Sequence, residues 1–109
     1  GIGGVPRYAH DQCYKQVEDV PNPWYITTLW LAQYYVRNAK TMEDLDIVRY
    51  WLEWVVIHSP ASGVLSEQLH PYTGEQLSAT PLTWSHAEYV RTIMMYHKKL
   101  QDLGMCLPG

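Results

Sequence analysis

Trp24-Tyr-Ile-Thr-Thr-Leu-Trp-Leu-Ala-Gln-Tyr-Tyr-Val-Arg-Asn38 is apolar on nearly every face, with Thr27, Thr28 and Gln33 as the polar interruptions. A helix of that kind is buried on more than one side. Asn22 suits the N-cap position and Pro23 the first helical one, so this helix is placed over 22–39. The next periodic stretch, 41–58, has a different pattern. Glu43, Asp46, Arg49 or Tyr50, and Glu53 share one face, while Leu45, Val48, Trp51 or Leu52, and Val55 share the other. That is an amphipathic surface helix, opened by Thr41 and Asp44 at capping-box spacing. Asp46–Arg49 and Arg49–Glu53 pairs add a few tenths of a kcal/mol each.

A third helix is placed over 83–103 and begins near Thr83 or Ser85, where Ser85 and Glu88 repeat the box spacing. It is apolar almost all round through Ile93-Met-Met-Tyr96, turns polar at His97-Lys-Lys99 and stops at Gly104. Buried, surface, buried is the alternation that two layers of helices require, so the fold class is all-α. Residues 1–21 form a Gly- and Pro-punctuated loop. Residues 60–82 form a second, long loop carrying Pro71, Gly74 and Pro81. Loops of that length are usually functional or disordered. Strand pieces at Val64–Leu69 and Gln76–Ala79 would make a small hairpin around Pro71-Tyr-Thr-Gly74.

Composition narrows the possible partners. The 109 residues are 47% hydrophobic and 17% charged, which fits a globular chain or a piece of a larger domain. Net charge is -3 with no basic run, so nucleic acid is not an expected partner. No apolar stretch reaches the roughly 18 residues of a membrane span, so no membrane partner is expected. Gly1-Ile-Gly-Gly-Val-Pro6 has neither the charged nor the apolar region of a signal peptide. Cys13 and Cys106 are far apart and have no CxxC spacing. They point to a reducing compartment, with a single disulfide as the alternative. A cytoplasmic location is the expectation. Nine Tyr and five Trp, with no Phe, suit both sugar sites and ordinary helix packing. Left to themselves, three such helices would expose Trp24, Trp30, Trp51, Trp54 and Trp84 as a large patch. Cover is therefore expected from the remaining helices of a longer parent domain, or from self-association with another copy of this chain.

Four segments together carry a resemblance: Arg7-Tyr-Ala-His-Asp11, Asn22-Pro-Trp-Tyr-Ile-Thr-Thr-Leu-Trp-Leu-Ala-Gln-Tyr-Tyr35, Ser66-Glu-Gln-Leu-His-Pro-Tyr-Thr-Gly-Glu75 and Pro81-Leu-Thr-Trp-Ser-His-Ala-Glu-Tyr-Val-Arg91. The chain resembles the C-terminal part of the catalytic domain of glycoside hydrolase family 15, which includes glucoamylases, glucodextranases and some microbial trehalases. The resemblance implies a fragment of an (α/α)6 barrel, with 60–82 as an active-site loop. It also implies inverting, exo-acting hydrolysis of an α-glucoside, releasing glucose from α-glucans or maltooligosaccharides. Trehalose, through a trehalase-like enzyme, is the alternative substrate. A non-catalytic helical interaction module is the alternative of another class.

The site residues follow from the same resemblance. Glu67, in Leu65-Ser-Glu-Gln68, matches the family's general base. Read alone, one loop Glu is an ordinary solvated carboxylate, and Glu75 is its nearest rival. Arg7 and Asp11 match a segment that holds glucose hydroxyls. Their bland reading is a loop ion pair. A fork of donors and a pair of acceptors suit vicinal hydroxyls. After Asp11, Gln12-Cys-Tyr-Lys15 replaces a more aromatic family stretch, and 16–21 resembles an insertion. Trp24 and Trp84 match positions where an indole lines the pocket, with helix core as the competing reading for Trp24. Nothing in 1–62 matches the general acid. Glu18, Glu43 and Glu53 sit in a loop or on an outer helical face, so this stretch alone is expected to be inactive. The histidines give no metal-ligand spacing, and no metal or other cofactor is expected. His86 is assigned to capping or packing the third helix.

Overall fold

The structure is a computed structural model. It describes residues 1–104 apart from Tyr8, His10, Tyr14, Glu18, Asp19, Ala61, Ser62, Val64 and 79–82. Its elements are helix α1 (Tyr25–Asn38), a 3-10 turn (Glu43–Leu45), helix α2 (Asp46–His58), strands β1 (Gln68–Leu69) and β2 (Gln76–Leu77), and helix α3 (Thr83–Asp102). Cys106 and the outer ends of the expected hairpin strands, Val64 and Ala79, lie outside the described residues. Cys13 is a free, half-buried thiol.

α1 and α2 form the apolar core. Tyr25, Leu29, Ala32 and Val36 of α1 meet Val48, Leu52, Trp54 and Val55 of α2, with Leu45, Leu65 and Leu69 closing the ends. Fully burying a side chain such as Leu29 contributes roughly 1.5–3 kcal/mol. The amphipathic reading of α2 holds in detail. Leu45, Val48, Leu52 and Val55 are buried, while Glu43, Asp46, Arg49, Tyr50 and Glu53 face solvent. Thr41 and Asp44 form their box reciprocally: Asp44 Oδ2 accepts from the Lys40 and Thr41 amides, and Thr41 Oγ1 accepts from the Asp44 amide. These backbone donors, Lys40 first, hold the Asp44 carboxyl below its ordinary pKa. Of the expected helix pairs, Asp46–Arg49 forms at 3.5 Å.

Two local expectations give way. Asn22 does not cap α1. Trp24 occupies the N-cap in an extended conformation, because it bridges Val5 on one side and Gln68 on the other. Its C=O accepts from the Thr28 amide and hydroxyl, and Asn22 Nδ2 donates to Gln68 Oε1 instead. Ser85 and Glu88 make no box on each other. Ser85 Oγ donates to the Ser66 C=O, and Glu88 accepts from Trp30 Nε1 and Gln33 Nε2. His86 packs the first turn of α3 against the loop: its Nε2 accepts from the Leu65 amide.

The seam between α1 and α3 carries a polar stripe beside the half-buried Tyr89, Ile93, Met95 and Tyr96, which pack against the core. Gln33 also donates to Thr92 Oγ1, and the fully buried residues of α3 are Ser85 and Thr92. Val90 and Met94 of α3 are exposed, as are Trp30 and Tyr34 of α1. Trp24 and Trp54 are buried, so the five tryptophans divide between core and surface.

Candidate active site

The site begins with the hairpin. β1 and β2 pair antiparallel with Leu69 opposite Gln76 and Gln68 opposite Leu77. The His70 amide donates to the Glu75 C=O, and His70 Nδ1 accepts from the Tyr72 and Thr73 amides to shape the turn. Continuing that register by one residue places Ser78 opposite Glu67. Ser78 adopts φ 66°, a left-handed conformation costing roughly 1–3 kcal/mol for a residue with a side chain. Its Oγ donates to Glu67 Oε1 at 2.6 Å. Gln68 Nε2 donates to the same oxygen at 2.9 Å. No hydrogen bond to Oε2 forms among the described residues.

The backbone around Glu67 is tied on every side. The Leu65 amide donates to His86 Nε2 and the Ser66 amide to Gln76 Oε1. The Ser66 C=O accepts from Ser85 Oγ, and the Glu67 C=O accepts from the Tyr25 amide. The Leu69 amide donates to the Pro23 C=O. Buried main-chain groups need such partners, and here α1, α3 and β2 supply them. Glu67 is half-buried within this frame. Glu75 is exposed, on the far side of the turn.

A chain of contacts runs from Glu67 to the other sugar-contact candidates. Gln68 Nε2 lies 3.7 Å from Cys13 Sγ, and the Cys13 amide donates to Asp11 Oδ1. Arg7 Nη2 pairs with the same oxygen at 3.1 Å, and the guanidinium carbon sits 4.8 Å from the centroid of the Trp24 ring. Asp11 is 1% exposed, and among the described residues neither its Oδ2 nor the buried Trp24 Nε1 has a partner. Arg7, Asp11 and Trp24 therefore form one group, joined to Glu67 through Gln68. Trp84 stands apart on the first turn of α3, 51% exposed and edge-on to Trp30 at 5.6 Å.

The N-terminal segment holds this group in place. Val5 donates to Thr28 Oγ1 and its C=O accepts from Thr27 Oγ1 and the Trp24 amide. Gly4 has φ 86°, and a Cβ there would collide with the Trp54 ring and stand 2.8 Å from Pro23. Glycine is what lets this segment lie flat enough to set Arg7 over Trp24.

Sequence reasoning missed Ser78, Gln76 and the partners of Asn22 and His86. The hairpin register carried the signal for Ser78. An open apolar depression of about 460 Å³, lined by Ala87, Val90, Arg91, Met94, Met95 and Lys98, lies on the other side of α3 and contains none of the candidate site residues. No cluster of three or more metal-ligating side chains occurs among the described residues, and no helix among them is long and apolar enough to cross a membrane.

Comparison with known proteins gives a consistent result. The sequence model of glycosyl hydrolases family 15 matches residues 47–94. An uncharacterised glycosyl hydrolase of Methanocaldococcus jannaschii is 35% identical over 98 residues, covering 82% of this chain and 15% of the relative. A glucoamylase of Blastobotrys adeninivorans is 26% identical over 129 aligned positions, covering 77% of this chain and 21% of the relative. No solved structure matches. This chain thus spans about a fifth or less of the curated relatives it matches. The three-helix segment with its small hairpin belongs to glycosyl hydrolase family 15.

Proposed function

We propose that this segment is the base-bearing part of an inverting, exo-acting α-glucoside hydrolase of glucoamylase type, with Glu67 as the general base. The observation that carries the reading is the asymmetry of the Glu67 carboxylate. Oε1 is fixed by Ser78 and Gln68, while among the described residues no hydrogen bond reaches Oε2, which leaves it for a water molecule. A general base must lie within hydrogen-bond reach of the water it deprotonates, with its own orientation set by other groups. In an inverting enzyme the acid stands about 6.5–9.5 Å away across that water. That acid is assigned to residues of the full-length protein beyond this segment.

Arg7, Asp11, Trp24 and Trp84 are proposed as substrate contacts. Support comes from the unpartnered Asp11 Oδ2, since an uncompensated buried acceptor costs roughly 1–3 kcal/mol and a sugar hydroxyl would satisfy it. The weight rests on Asp11 because Trp51 Nε1, on α2, is also unpartnered. The exposed apolar faces of α1 and α3 fit cover by further helices of an (α/α)6 barrel.

NMR of the full-length protein acting on a maltooligosaccharide tests this reading. β-Glucose is expected as the first-formed product, with a faster rate on maltooligosaccharides than on trehalose. First-formed α-glucose would rule out inversion. A strong preference for trehalose would move the enzyme to the trehalase branch.

A further inference from the structure

We propose that Gln76 is the positioning residue for Glu67, an inference that rests on reading Glu67 as the base. Its carboxamide uses its whole hydrogen-bonding inventory at one junction. Oε1 accepts from the Ser66 amide at 3.1 Å and from Ser66 Oγ at 2.8 Å. Nε2 donates to Tyr25 Oη at 2.9 Å and to the His58 C=O at 2.8 Å. The partners fix which way the amide faces, because a backbone N–H must meet Oε1 and a backbone C=O must meet Nε2. One side chain on β2 therefore locks the first turn of α1 and the last residue of α2 to the peptide immediately before Glu67.

Two features make this positioning rather than packing. The Ser66 hydroxyl has one hydrogen, shared between Gln76 Oε1 and the Gln68 C=O, both 2.8 Å away, so the clamp reaches both neighbours of Glu67. Gln76 also pairs with Leu69 in the hairpin register, two residues before the Ser78 hydroxyl that orients Oε1. Releasing Gln76 frees the Ser66 amide on one side of the carboxylate and loosens the strand carrying Ser78 on the other. Tyr25, buried against this junction, has its phenol pushed above the ordinary pKa by burial, with the Gln76 hydrogen bond opposing the shift. It therefore serves the clamp as a neutral hydroxyl, which also donates to the His58 C=O.

The test compares wild type, Glu67→Gln, Gln76→Met and Gln76→Glu in the full-length enzyme on a maltooligosaccharide. Rates are expressed per folded molecule, from the calorimetric unfolding enthalpy. Methionine keeps the volume and removes all four bonds; glutamate keeps the acceptor for Ser66. The expected result is a fall of about 100-fold in kcat for Gln76→Met with KM nearly unchanged, the scale of a small misplacement of a reacting group. Gln76→Glu should recover only part of that loss, because it keeps the acceptor for Ser66 but sets a second acceptor against the His58 C=O. Gln76→Ser, which leaves room for water, gives the same kcat-against-KM reading where methionine prevents folding. A full kcat for Gln76→Met beside an inert Glu67→Gln overturns this proposal alone. A loss wholly accounted for by a smaller folded fraction, with kcat per folded molecule unchanged, overturns it too, as a purely structural role. A fully active Glu67→Gln removes the base reading and this inference together.

Discussion

The seam between α1 and α2 and the seam between α1 and α3 share a helix but differ in chemistry. The first joins Leu29 and Val36 to Val48, Leu52 and Val55, all nearly inaccessible to solvent. The second joins Gln33 and Trp30 to Glu88 and Thr92, and buries no apolar side chain of α3 completely. Apolar contact stabilises in proportion to area and has no direction. Hydrogen bonds lose their worth within a few tenths of an ångström or a few tens of degrees. The α1–α2 seam therefore supplies stability, while the α1–α3 seam adds alignment to the packing of Ile93, Met95 and Tyr96 against the core. Alignment matters here because Ser85 and His86, on the first turn of α3, hold the Ser66 C=O and the Leu65 amide just ahead of Glu67.

The largest effect that would sharpen this contrast belongs to the apolar seam. Leu29→Ala is expected to cost about 2–5 kcal/mol in urea unfolding of the full-length protein, with kcat per folded molecule close to wild type. A loss of kcat with little loss of stability would break the division of roles. Glu88→Ala should show the reverse. Removing the acceptor of Trp30 and Gln33 is expected to cost roughly 1–3 kcal/mol and to lower kcat out of proportion, measured on the same preparations. A proportionate fall in both would mean that the polar seam is ordinary packing.

The smallest effect lies far from both seams. Backbone donors depress the Asp44 pKa in the folded state, so its contribution is present above the unfolded carboxylate value near 3.9. That contribution is lost as pH falls through the folded value. Asp44→Asn should flatten this part of the acid limb in a melting-temperature profile and leave activity at neutral pH intact. An unaltered acid limb would show that the Thr41–Asp44 box carries no pH-linked stability.

The helices and the hairpin were legible because each has a local cause. Period 3.6 with Leu45, Val48, Leu52 and Val55 on one face fixes α2, and turn residues between short strand-forming runs fix β1 and β2. The start of α1 was not legible, since Asn22-Pro23 has good capping chemistry that Val5 and Gln68 overrule by drawing Trp24 into extended bridges. The same competition defeats the Ser85–Glu88 box. Both side chains have stronger claims elsewhere, on Ser66 and on the α1 indole and amide. Family motifs pointed to Glu67 as the candidate base, but periodicity was silent on what orients it. Gln76 and Ser78 act across ten and eleven residues of chain, a relation visible only once the register is known.

The measurement closest to the central claim is the kcat of the full-length enzyme on a maltooligosaccharide for Glu67→Gln beside Glu75→Gln. Both substitutions remove one carboxylate from the same hairpin, Glu67 from inside the hydrogen-bonded frame and Glu75 from the exposed turn. A fall of roughly 100- to 10,000-fold for Glu67→Gln, with Glu75→Gln near wild type, is the predicted result. A Glu67→Gln enzyme that hydrolyses at the wild-type rate would contradict the account.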